Sequence, residues 1–411
     1  MNTYAVIILA TLLISFVLDL VGNLLNLRAL REGLPDELRD LHDPEAYRTS
    51  QRYTRDRTWL GLVRSVFDLG VVLAFWLSGG FNLLDQYLGM LELSPILTGV
   101  LYVGVLVIAR LVLTIPFSIY STFRLEARYG FNRTTPSTFM LDTVKVLFLT
   151  ALIGGPLLAV LFYVFESLGP NAWLLGWGIT AVFTIGIQII FPTWIMPLFN
   201  KFTPLESGDL KDAILSYAQS VKFPIENVFV LDGSRRSKKT NAFFTGFGKH
   251  KRLALFDTLI ESHNIDELVA IFAHEVGHCK KRHILQGTVI SLLHSGFVFF
   301  LLSIFLNHEG LFRAFFMEST PIYAGFVFFG MLYTPIELIL SVFLQMLSRR
   351  NEYQADNYAA TTIASPENMI NALKKLSKDN LTNLTPHPFL VFMSYSHPPI
   401  VQRIHAIRAA V

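Results

Sequence analysis

Seven stretches of this chain are apolar over about 20 residues, the length needed to cross a bilayer. They run over residues 4–25, 61–81, 96–118, 146–166, 172–194, 287–307 and 321–345. The pattern leaves few folds open. Hydrocarbon offers no water to backbone N–H and C=O groups, so segments of this kind must be helices that satisfy their own backbones. Only 16% of the 411 residues are charged and 52% are hydrophobic, against roughly 25% charged in soluble domains. A polytopic α-helical membrane protein follows. The second segment carries Arg64 and Asp68. Pro335 and Glu337 mark the seventh as kinked or facing a polar interior, because charge at depth is costly unless it faces protein or water. No basic stretch precedes the run that opens at Tyr4, and no small-residue cleavage site clearly follows it, so it reads as a retained anchor.

The loops alternate in charge. Arg28, Arg31, Arg39, Arg48, Arg52, Arg55 and Arg57 follow the first segment, whereas the second loop, near Asp85 and Glu92, has no Lys or Arg. Arg124, Arg128, Arg133 and Lys145 fill the third loop, and the fourth, at Gly169 to Asn171, has none. The fifth holds a basic run from Arg235 to Lys239, and the sixth only Arg313. The positive-inside rule reads this as an outside N-terminus and a cytoplasmic C-terminus. A net charge of +3 is too small to imply nucleic acid. The single cysteine, Cys279, excludes an internal disulfide or a Cys-rich metal cluster and reads as a packed thiol.

The fifth loop, residues 195–286, is too long to be a connector and should fold. A short helix is expected over Leu205–Ser220, and strands over Val228–Leu231, Ala242–Thr245 and Arg252–Phe256. A helix from Asn264 is expected to run straight into the sixth segment, since no strong breaker separates His278 from Gly287. Beyond the seventh segment, another helix carries Glu352 and Asp356, and Thr361–Ser377 reads as a pair of short amphipathic elements with Leu373 and Leu376 facing a core. The division expected is 1–194 with five membrane helices, 195–286 as the first part of a soluble domain, 287–345 with two further helices, and 346–411 as its second part.

Chemistry is concentrated in His274-Glu275-Val276-Gly277-His278. Two histidines four apart share a helix face, and neutral imidazoles are good zinc ligands. Catalytic zinc commonly takes three protein ligands and leaves a place for water. Glu275, between the histidines, is placed to take a proton from that water and pass it to a leaving amine. His283 lies five residues past His278 and is offset in angle, so it does not supply the third ligand. Glu352 and Asp356 share a helix face. Glu352 could bind the metal while Asp356 accepts a hydrogen bond from a ligand histidine; the competing reading is a solvated face beside Arg349 and Arg350.

The chain resembles the M48 zinc metalloproteases, most closely the integral-membrane, Ste24-type CAAX prenyl proteases. The resemblance rests on the segments Leu125–Asn132, Pro197–Phe202, Thr240–Gly246 and Lys251–Leu259, the zinc helix, Glu352–Asp356 and Ser396–Pro399, and so covers nearly the whole chain. It implies Glu352 as third ligand to a single Zn2+ and Asp356 as the partner of a ligand histidine. Asn241 and Ala242 fall where the substrate backbone is held as an added strand. His397 becomes the histidine that supports the oxyanion, and Arg403 an arginine contacting the site's carboxylates or the substrate. It further implies seven helices around a chamber, for which Arg64, Asp68, Arg110 and Glu337 are candidate lining residues, and a cytoplasmic zincin-like α+β domain with a small sheet.

The expected activity is zinc-dependent peptide-bond hydrolysis near the C-terminus of a membrane-associated, possibly prenylated, protein or peptide, by a monomer in a bacterial inner membrane or the ER membrane. Three alternatives are a quality-control protease of the heat-shock type, which usually has fewer spans, a transporter or channel, and an inactive scaffold. Intact His274, Glu275 and His278 argue against the last.

Overall fold

The computed structural model describes residues 1–410 except 31–32, 35, 40–43, 226 and 246–251. Arg31, Gly246 and Lys251 lie outside the described residues. Seven helices are long and apolar enough to cross a membrane: Thr3–Ala29, Pro44–Leu77, Pro95–Glu126, Pro136–Ser167, Ala172–Leu198, His283–Phe305 and Ile322–Thr362. Each touches its neighbours in chain order, and the seventh closes onto the first, so the helices succeed one another in a ring. Between 6 and 22% of each apolar window is buried inside the protein. Most of these side chains therefore face outward or into the ring rather than a packed bundle core. Spans three to five each pass through a π-helical turn, at Ser121–Glu126, Thr150–Gly154 and Phe191–Ile195. Pro116, Pro156 and Pro192 lie in or near these turns, and each removes a helix donor there.

At one end of the ring the helices converge in aromatic packing. The seventh helix begins against the third so closely that a Cβ at Gly99 would stand 2.8 Å from the Cβ of Tyr323. Phe315 stacks on Phe328 with centroids 3.8 Å apart, and Trp76 Nε1 donates to the Ala314 carbonyl at 2.8 Å. The N-terminus is tied to the same end, since Asn2 Nδ2 donates to the Gly310 carbonyl at 2.6 Å.

At the other end sits a domain built around a small mixed sheet. Strands β1 (Phe202–Pro204), β2 (Asn227–Leu231), β3 (Ala242–Thr245) and β4 (Arg252–Phe256) form a sheet in the order β1-β2-β4-β3. The β2–β4 pair is parallel and the two outer pairs are antiparallel. Leu253, Ala254 and Leu255 are all buried, as expected of a strand covered on both faces. The expected strands are present. The short β1 was not foreseen, and the helix expected from Leu205 begins at Asp209.

The zinc helix, Ile265–Lys280, starts on a capping box in which Asn264 and Glu267 bond reciprocally to each other's backbone N–H. Leu268, Ile271, Phe272 and Val276 form its buried stripe. It does not run on into the sixth span. It ends at Lys280, and Arg282, with φ 60°, takes a left-handed turn before the sixth span starts at His283.

The seventh span corrects a second expectation. Glu352 and Asp356 lie on the same unbroken helix of 41 residues, which continues through Pro335. At 1.5 Å per residue such a helix is about 60 Å long, twice a bilayer's hydrocarbon thickness. Its second half therefore projects into the sheet domain, carrying Glu352 with it. Past Thr362 the chain forms one helix, Pro366–Asp379, rather than a pair of short ones, with Leu373 buried and Leu376 packed on the core.

Arg64 pairs with Asp68 along its own helix at 3.6 Å, Glu337 lies 3.4 Å from His294, and Arg110 is exposed. Cys279 packs against the core of the sheet domain.

Candidate metal centre

The zinc helix crosses the projecting part of the seventh helix at Gly277. A Cβ there would meet the Cα and carbonyl oxygen of Ala355 at 3.0 and 3.1 Å. The absence of a side chain is what lets His274 and His278 reach Glu352. The two Nε2 atoms stand 3.1 Å apart. Glu352 Oε1 is 3.4 Å from His278 Nε2, and Oε2 is 3.6 Å from His274 Nε2.

Ligands at 2.0–2.1 Å around a tetrahedral zinc are separated by about 3.3 Å, so this spacing fits one such ion. The donor chemistry agrees: Glu352 is buried, and among the described residues its Oε2 receives no hydrogen bond, with Arg403 Nη1 standing off at 3.5 Å. A cation on the shared side satisfies that oxygen. These three residues are positioned to hold a single Zn2+.

A Gly277→Val chain should push the two helices apart. Overpacking typically costs about 1–3 kcal/mol, and here the displacement falls directly on the distance between His278 and Glu352. Zinc retained after dialysis against a weak chelator should drop at least ~10-fold. Retention equal to wild type would remove the close approach from the account.

Around the ligands lies a charged layer. His274 Nδ1 is 2.9 Å from Asp356 Oδ1. Arg403 donates to both oxygens of Asp356, Nε to Oδ2 at 2.7 Å and Nη2 to Oδ1 at 2.6 Å, and its Nη1 stands 3.5 Å from Glu352 Oε2. Glu275 is half-buried between the two histidines. Burial raises its carboxyl above the usual glutamate range, while His274 and His278 act in the opposite sense.

His397 is exposed, with Nε2 3.5 Å from Glu352 Oε1 and Nδ1 2.9 Å from Ser396 Oγ. Asn241, His397 and Arg403 line one open cavity of about 800 Å³, together with Asn23 and Arg57 of the first two spans. Ala242 opens β3, which lies at the sheet's edge with no strand beyond it among the described residues. His283, set aside in the sequence on its helical angle, lies against His278 and Gln354.

Seven membrane-length helices, and a site where two histidines of a separate helix meet a glutamate of the seventh with a further carboxylate beside them, define a membrane-embedded zinc metalloendopeptidase. Comparison with known proteins agrees at both ends of the chain. Residues 23–201 match the family described as CAAX prenyl protease N-terminal, five membrane helices, and residues 204–411 match peptidase family M48. The chain is 35% identical to CAAX prenyl protease 1 of Saccharomyces cerevisiae, over 91% of this chain and 88% of the yeast one. It is 32% identical to the CAAX prenyl protease 1 homolog of Arabidopsis thaliana, over 96% and 95%. The crystal structure of Ste24p from S. mikatae superposes with a TM-score of 0.94 at 32% identity, over 99% of both chains. The chain belongs to peptidase family M48.

Proposed function

We propose that this endopeptidase cuts near the C-terminus of membrane-associated, prenylated CAAX-type proteins. The observation that carries the reading is that its similarity to the CAAX prenyl proteases runs through the membrane helices as well as the zinc domain. A soluble-domain likeness alone would speak only for peptide hydrolysis. The ring of spans, packed together at one end, supports a chamber open toward the zinc site, and the alternating loop charges support a cytoplasmic active site. The protease domain is then assembled from residues 195–286 and 346–411, with the membrane helices of 1–194 and 287–345 around it, and the chain works as a monomer.

A zinc ion held by His274, His278 and Glu352 supplies Lewis acidity to the scissile carbonyl and an acidified water. Glu275 takes the proton from the attacking water and returns it to the leaving amine. A carboxylate can do both, as base and then as acid. Asp356 holds the proton of His274 on Nδ1, which leaves Nε2 free to ligate. Arg403 fixes Asp356 in turn. His397, at the cavity wall, donates to the oxyanion developing on the carbonyl. Asn241 and Ala242 receive the substrate backbone as a further strand on the open edge of β3.

The test is cleavage of two substrates, a farnesylated CAAX peptide and an unprenylated membrane-protein fragment, with Glu275→Gln as the inactive control. Release of the C-terminal residues from the prenylated peptide is expected. Cleavage of the unprenylated fragment alone would overturn the substrate assignment and favour a quality-control protease.

A further inference from the structure

His278 must carry its proton on Nδ1 if its Nε2 lone pair is to face a metal. Among the described residues Nδ1 of His278 meets no carboxylate. It meets another imidazole nitrogen, Nδ1 of His283, at 3.0 Å. Two N–H groups cannot face each other at that distance. A protonated Nδ1 on His278 therefore requires a bare Nδ1 on His283, which puts the His283 proton on Nε2. That atom lies 3.0 Å from Gln354 Oε1, an acceptor.

We infer that His283 and Gln354 are positioning residues that set the ligating tautomer of His278 through a neutral hydrogen-bond relay. The structure turns the Gln354 oxygen toward His283, and the opposite orientation would reverse the whole relay. With the Gln354 amide reversed, its N–H donates to His283 Nε2, and His283 Nδ1–H donates to His278. The His278 proton is then driven onto Nε2, where it blocks ligation. Amide orientation, imidazole tautomer and readiness for zinc thus switch together. His274 has no such choice, because Asp356 can only accept.

The backbone explains how five residues in sequence become neighbours in space. On a continuous helix His283 would sit about 140° around from His278. The left-handed turn at Arg282 ends the zinc helix and folds the start of the sixth span back, so that the two rings lie 5.0 Å apart, edge to face. Gln354 stands between Glu352 and Asp356 on the seventh helix. The relay consequently joins the zinc helix to two membrane-spanning helices, and a shift between those helices reaches the metal through it.

The inference rests on the zinc site of His274, His278 and Glu352, and the test separates the two. Zinc dissociation constants would be measured by chelator competition on the full-length protein in detergent, with melting of the zinc-free forms as the folding control. His283→Leu removes the acceptor and should weaken zinc binding about 10–100-fold. His283→Asn places a carbonyl oxygen near where Nδ1 stood and should recover affinity to within a few-fold of wild type. Gln354→Met leaves His283 in place and should weaken binding about threefold or more.

Affinity within about twofold of wild type in His283→Leu overturns the relay, as does a His283→Asn chain no tighter than His283→Leu. If His283→Leu fails to fold, Gln354→Met decides, and unchanged affinity there overturns the relay. Glu352→Ala serves as the separate control. Undiminished zinc in that chain would overturn the metal site itself, and the relay with it.

Discussion

Glu275→Gln should leave a folded, zinc-loaded chain with almost no peptidase activity. The substitution preserves the side chain's shape and its place between His274 and His278, but an amide cannot take a proton from water. Loss of a positioned general base typically costs 10²- to 10⁴-fold. The fall should appear in kcat, with KM and zinc content close to wild type, because the group acts on a proton that moves only during the reaction. Glu275→Asp tests position rather than chemistry. It keeps the carboxylate but draws it back by one methylene, and a displacement near 1 Å can cost about 10²-fold. Turnover on the best-cleaved peptide, measured beside zinc content, checks both variants. Activity within about tenfold of wild type in Glu275→Gln would assign the proton transfer to another group.

The parts of this molecule legible in its sequence are those where one physical demand acts on a contiguous stretch. A bilayer requires about 20 apolar residues per crossing, and all seven spans are found near their expected positions. The helical period places His274 and His278 on one face, and likewise Glu352 and Asp356. What escaped notice depends on where the chain turns or on contacts far apart in sequence. The change from apolar to charged residues near Arg349 reads as the end of a membrane helix. In the structure it marks only a change of solvent along a helix that continues to Thr362. The break after Lys280 is made by a left-handed arginine, with neither glycine nor asparagine to announce it. That concealed the contact between His283 and His278. Strand β1 is three residues long and exists through its pairing with β2. Arg403 meets Asp356 across 47 positions, from a helix that starts just after Pro399, a contact with the site's carboxylates that only the family resemblance implied. Residue spacing carries no record of that meeting.

Arg403→Met should be the most destabilising single change at this site. Asp356 is 1% exposed in its side chain and Arg403 12%, so the pair is almost fully removed from water. A buried ion pair contributes little net stability over apolar residues of the same volume, but removing one partner leaves the other charged and unsolvated, at about 3–5 kcal/mol. For a domain of this size that corresponds to an apparent melting temperature lower by roughly 10 °C. Arg403→Lys keeps the charge but loses the two-pronged bond to Oδ1 and Oδ2, and should fall between Met and wild type. The decisive comparison is the double variant Arg403→Met with Asp356→Asn. If the cost lies in a stranded carboxylate, neutralising it recovers part of the lost stability, so the double variant melts above Arg403→Met alone. The amide introduced by Asp356→Asn would still offer an oxygen to His274 Nδ1, so zinc binding should weaken less than stability suggests. Simple addition of the two single effects, or an Arg403→Met chain that melts with wild type, would mean that the pair does not hold this corner of the site together.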